Sequence, residues 1–186
     1  MPSTQLPPKP DFAAIEAAAP ESVDRRTLIL ALIGNLICSW SNNESMLIYV
    51  LMMLLRTDQA SAAIVFATLN TTRARLDLIQ RLALLHLKDK ALDRDLKKLI
   101  ARFNDSTRLR NEFNHCIYSV DDHGKITQTQ SMRIVETRTS LQFGETRQMD
   151  EQRIKEMLDA NRSLTQLNRE LWDILPRLQA HLNSKT

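Results

Sequence analysis

The chain has 186 residues, of which 25% are charged and 43% hydrophobic, the balance of one soluble domain. Its net charge of +3 is too small for a dedicated nucleic-acid coat. It holds three glycines and six prolines, five of the prolines within the first twenty residues. That scarcity excludes a β-sandwich, which needs a turn roughly every 8–12 residues, and it excludes glycine-rich phosphate loops.

Residues 1–20 read as a flexible arm, because Pro2, Pro7, Pro8 and Pro10 block regular structure. The start lacks the basic-then-apolar order of a signal peptide. Residues 21–186 read as a single helical domain. A first long helix is expected from about Ser22 to Arg56. Its two apolar runs, Leu28–Cys38 and Met46–Leu55, are each shorter than the ~20 residues that span a bilayer. A second helix is expected from the caps Thr57 and Asp58 to about Leu87, with a weak spot at Asn70-Thr71-Thr72. Its expected core residues are Ile64, Leu69, Leu76, Leu82 and Leu85. A third helix runs from about Leu92 to Ile117, with Leu96, Leu99, Ile100 and Phe103 as its stripe.

The period then changes. Val120-Asp121-Asp122-His123-Gly124 has turn chemistry, and the following stretch is rich in threonine and β-branched residues. Ile126, Met132 and Ile134 share one parity, and Leu141 and Phe143 are two apart, which predicts a small antiparallel hairpin or meander. The last helix opens at Asp150. Its seam is Met157, Ala160, Leu164, Leu167, Leu171, Ile174, Leu178 and Leu182, and Pro176 is expected to kink or fray its end. The fold class is therefore mainly all-α: an antiparallel four-helix bundle, up-down-up-down, with the β element inserted between helices three and four.

Cys38 and Cys116 stand alone, which predicts a reducing, cytoplasmic setting without disulfides. No Cys/His cluster has zinc spacing, so neither a metal nor another cofactor is expected.

The stretch from Lys88 to Arg110, most of it on the third helix, carries eight basic residues against four acidic ones. Lys97, Lys98, Arg102 and Arg108 are candidate phosphate contacts there; the alternative is a solvated face of mixed charge. Arg110 and Asn114 continue the stripe begun by Leu96 and Phe103, with Asn111 and His115 beside it. A stripe that turns from leucine to Arg, Asn, Asn and His either forms a site or emerges into solvent. Glu44 shares a face with Leu36, Trp40, Leu47 and Leu51, and a carboxylate there needs a partner. That partner is Arg110 or His115 in a functional reading, and another arginine in a structural one.

Arg110-Asn111-Glu112-Phe113-Asn114-His115 resembles the Arg-(four to six residues)-His motif of the HEPN superfamily, late in the third of several long helices. The resemblance implies a metal-independent endoribonuclease whose two motifs meet across a C2 homodimer. Arg110 and His115 would then be catalytic, with Asn111, Asn114 and Glu44 supporting them. It also implies RNA as substrate, a toxin or defence role, and a nucleotidyltransferase-type antitoxin as a further partner. Some members keep the fold and bind RNA or protein without cleaving, which is the alternative. A second match, Arg81 to His86, lies among four apolar residues and is expected to be a decoy.

Overall fold

The computed structural model describes residues 25–121 and 124–184; the arm expected over 1–20, and His123, lie outside these. Five helices and five short strands follow one another: α1 (Arg25–Leu55), α2 (Gln59–Thr68), α3 (Thr72–His86), α4 (Lys90–Asn114), β1 (Cys116–Val120), β2 (Ile126–Ser131), β3 (Ile134–Glu136), β4 (Leu141–Phe143), β5 (Thr146–Gln148) and α5 (Glu151–Asn183).

α1 is the central helix. In its second half almost every residue from Met46 to Leu54 is buried, because the other helices surround it. It ends in a left-handed residue, Arg56 (φ 53°). The N–H of Arg56 donates to Met53 O at 3.2 Å and that of Thr57 to Met52 O at 3.1 Å, the paired bonds of a Schellman stop. The chain then turns by 116° into α2. Asp58 caps α2 by accepting from Ser61 N at 2.9 Å. That bond holds the Asp58 carboxyl below its ordinary range.

The second helix expected from the sequence is two helices, not one. Thr71 takes the Ala74 N–H on its hydroxyl at 3.1 Å and starts α3 afresh. The guanidinium Nε of Arg75 donates to the Phe66 and Leu69 carbonyls, at 3.1 and 3.0 Å, which α2 leaves unpaired at its end. Its guanidinium also lies 4.0 Å over the Phe66 ring. The break changes which residues face inward. Leu76, Ile79 and Ala83 are buried, whereas Ile64 and Leu85 are 68% and 71% exposed and Leu69 and Leu82 only half-buried.

The extra reversal also changes the bundle. α1 and α5 run parallel: Arg25 donates to Met149 O, Asn35 Nδ2 to Asn161 Oδ1, and Asn43 Nδ2 to Leu164 O, so both numberings rise together. α4 runs antiparallel to α5, with Asp95 paired to Arg177, Arg102 to Glu170 and Glu112 to Arg153. In an up-down-up-down bundle the first and last helices would be antiparallel. Splitting the second helix adds one change of direction, and the bundle expected from the sequence is corrected accordingly.

α4 stops at Asn114, three residues short of the expected end, and Ile117 belongs to β1. β1, β2 and β5 form a three-stranded antiparallel sheet, and β3 and β4 a separate hairpin, in keeping with the small β element expected here. Gly144 (φ +38°) sits where the hairpin leaves the sheet. A Cβ there would lie 1.7 Å from the Ser131 carbonyl oxygen. α5 begins at the Asp150 cap and remains helical through Pro176 to Asn183, so its end does not fray at the proline. Every residue of its expected seam is buried except Ala160, which is half-buried. No single helix among the described residues is long and apolar enough to cross a membrane.

Candidate functional site

The polar end of α4 is built on Trp40 of α1. Phe103, Thr107 and Arg110 lie on one stripe of α4, and all three meet this indole. Its ring stacks on Phe103 at 5.4 Å between centroids and 21° between planes. Its Nε1 donates to Thr107 Oγ1 at 3.1 Å, and that hydroxyl in turn donates to Phe103 O at 3.1 Å. The Arg110 guanidinium carbon lies 3.7 Å from the centroid of the indole ring. Trp40 itself is 2% exposed, so Arg110 forms the lid of an otherwise closed stack.

Arg110 and its neighbours form two polar pairs at the surface. Arg110 Nη1 donates to Asn111 Oδ1 at 2.7 Å. Asn114 Nδ2 lies 3.4 Å from His115 Nε2. His115 is the C-cap residue of α4, with φ −125° and ψ 41°, and its side chain is exposed. Its N–H donates to Asn111 O at 3.0 Å, and its carbonyl accepts from Met132 N at 3.1 Å. The helix end and the β insert therefore both hold the backbone of His115. The stripe does emerge into solvent, but it emerges with its arginine anchored.

Beneath this end lies an ion network that sequence reasoning missed. Arg153 of α5 is 3% exposed and pairs with Glu112 and, at 2.8 Å, with Glu156. Arg147 of β5 reaches the same two carboxylates at 3.4 and 3.3 Å. The Arg153 hydrogen bond, helped by the charge of Arg147, holds the Glu156 carboxyl below its ordinary range against an opposing effect of burial. Arg153 also lies 4.3 Å over the Phe113 ring. The Tyr118 hydroxyl donates to Phe113 O at 2.6 Å. Burial pushes both the Tyr118 phenol and the Cys116 thiol up, so both stay protonated at neutral pH. The only signal for this network was the mixed charge of Glu112, Arg147, Arg153 and Glu156, scattered over three elements.

Three expected site residues are engaged elsewhere. Glu44 pairs with Arg75 at 2.9 Å and accepts the Thr72 hydroxyl at 2.6 Å, so it supports the α2–α3 break and neither Arg110 nor His115. Arg102 is paired with Glu170 across the α4–α5 contact. Lys97 pairs with Asp93 at 2.7 Å, although its side chain remains partly exposed. Helical geometry sets Lys97 and Arg108 within about 20° of each other on the Asn111 side of α4, and Lys98 and Arg102 on the opposite flank. Both Lys97 and Arg108 are exposed. Lys98 and Arg102 instead line a groove of about 490 Å³ between α4 and α5, alongside Asp95, Glu170, Asp173 and Arg177. Three acidic and three basic side chains make that groove a poor anion site. The expected phosphate set thus divides in two. Of the decoy pair, Arg81 is exposed and Arg81 and His86 both lie on α3, away from the end of α4. Among the described residues no group of His, Cys, Asp and Glu could hold a metal ion.

Comparisons with protein-family models, with curated proteins and with solved structures return no match.

Proposed function

We propose that the chain is a metal-independent endoribonuclease of HEPN type that acts as a C2 homodimer. The observation that carries the reading is the exposed end of α4: an arginine anchored on Trp40, hydrogen-bonded to Asn111, and followed by Asn114 and an exposed His115. RNA supplies its own nucleophile, so no enzyme nucleophile or metal is needed. One His115 takes the proton of the 2′-hydroxyl. That oxygen attacks the phosphorus, and the bond to the 5′-oxygen breaks as the second protomer's His115, protonated, gives that oxygen its proton. Arg110 stabilises the charge gathering on the non-bridging oxygens. Each chain supplies half of this pair.

A second copy also suits the surface beside His115. Ile117, Met132, Ile134 and Leu141 are 49%, 49%, 53% and 62% exposed on β1, the β2–β3 link and the hairpin. Apolar groups gathered on one small element mark a macromolecular contact. The same observation supports the alternative, a non-catalytic helical module that holds RNA or a partner protein such as a nucleotidyltransferase-type antitoxin.

Cleavage of bulk RNA in EDTA by the purified protein tests the reading. His115→Ala is expected to lower the rate about 10²–10⁴-fold and Arg110→Ala about 10²–10³-fold. Arg81→Ala and His86→Ala are expected to leave it unchanged. The rate should show a bell-shaped pH dependence, because the mechanism needs one imidazole as base and its mate as acid. Light scattering should find a dimer at micromolar concentration; a monomer that cleaves RNA refutes the shared site. Absence of cleavage together with tight partner capture favours the module.

A further inference from the structure

We infer that Trp40 is a positioning residue for Arg110, and that the stacked pair forms a cradle for one RNA backbone phosphate. This rests on the ribonuclease reading above and names a residue that no Arg…His motif contains.

A long, flexible side chain at a solvent-exposed helix end loses rotamer freedom when it is fixed on a ligand. Stabilising a transition state needs donors already in place, because reorganisation during the reaction wastes their effect. Here the fixing precedes the ligand. The guanidinium is stacked by its face on the indole at 3.7 Å, and its Nη1 is tied to Asn111 Oδ1 at 2.7 Å. Stacking occupies the face of the plane, while the N–H donors lie in the plane at its edge. Four of the five donors are left by the Asn111 bond, in the fork that matches two phosphate oxygens.

The indole is itself immobile. Phe103 stacks on it, and Thr107 accepts its N–H while bonded back to the Phe103 carbonyl. Phe103, Thr107 and Arg110 recur at four and three residues along α4, so one turn after another grips the same ring. Tryptophan is also the aromatic that binds a cation most strongly. A merely structural tryptophan would need no cation above it. A merely solvated arginine would need no aromatic floor.

The test uses full-length protein in a Trp172→Phe background, so that Trp40 is the only source of indole emission. The ligand is a uridine oligonucleotide with every 2′-hydroxyl methylated, which binds but cannot be cleaved. Its addition is expected to change Trp40 emission, and Arg110→Ala should abolish that response. For cleavage of the unmodified oligonucleotide, Trp40→Leu is expected to lower kcat about three- to thirtyfold with KM changed much less. Trp40→Phe, which keeps an aromatic face, should recover part of the loss. Thr107→Val, which frees the ring without removing it, should fall between wild type and Trp40→Leu and guards against a Trp40 variant that does not fold. If the protein cleaves RNA and Arg110→Ala abolishes cleavage while folded Trp40→Leu and Thr107→Val keep the wild-type kcat, the inference fails and the ribonuclease reading survives. If the parent protein neither binds nor cleaves the oligonucleotides, both fail.

Discussion

Asn43 is 0% exposed in the contact between α1 and α5, and its removal gives a direct test of the parallel packing of these helices. Its Nδ2 donates to Leu164 O at 3.0 Å, and its Oδ1 accepts from Asn168 Nδ2 at 2.7 Å. Each bond contributes about 1 kcal/mol net, and burying the orphaned partner adds part of a further ~1 kcal/mol, since the half-buried Asn168 is still reached by water. Asn43→Ala is therefore expected to cost about 2–3 kcal/mol. In a domain of this size that lowers Tm by about 4–12 °C. Urea unfolding should show a lower midpoint with an unchanged slope, as befits a loss of stability without a change of fold. The cycle Asn43→Ala, Asn168→Ala and the double variant should reveal a coupling of about 1 kcal/mol, because the two amides share a bond. A cost below about 0.5 kcal/mol, or strictly additive single effects, would refute the reading that these amide bonds stabilise the contact between α1 and α5.

Other perturbations have signs set by the structure. Glu156 has its carboxyl pKa depressed by Arg153 and Arg147, so its contribution is present above glutamate's ordinary value and lost as pH falls through the lower folded value. The Tm difference between wild type and Glu156→Gln should thus be largest near pH 7 and shrink below about pH 4; a difference independent of pH would contradict the network. Gly144→Ala would set a Cβ against the Ser131 carbonyl at a φ of +38°, and should cost more than about 1 kcal/mol while loosening the hairpin in amide exchange. Arg56→Gly relieves a left-handed residue at the end of α1 and should raise Tm by a few degrees, a gain of about 0.5–1 kcal/mol; a lower Tm would mean that the Arg56 side chain stabilises the turn.

Patterns that repeat along the chain were legible without a structure. The eight-residue seam of α5, the caps Asp58 and Asp150, the change from helical to strand period after α4 and the polar end of that helix all follow from local chemistry and spacing. Such signals survive because each depends on neighbours within a turn or two. The break between α2 and α3 was visible only as a weak spot, since Thr71 is a modest stop by itself. What makes it decisive is Arg75, whose guanidinium completes the carbonyls of α2 while paired to Glu44 from another helix. With that break, Glu44 is engaged away from the α4 site, Ile64 and Leu85 are exposed, and the later helices run opposite to the directions expected for an up-down-up-down bundle. The same holds at the α4 end. Arg110 and His115 could be named from spacing. The indole beneath Arg110 comes from a residue 70 positions earlier, and the ion network beneath Phe113 from β5 and α5. Ion pairs and ring contacts form between side chains whose proximity is created by packing, and no periodicity in the sequence encodes which charge meets which.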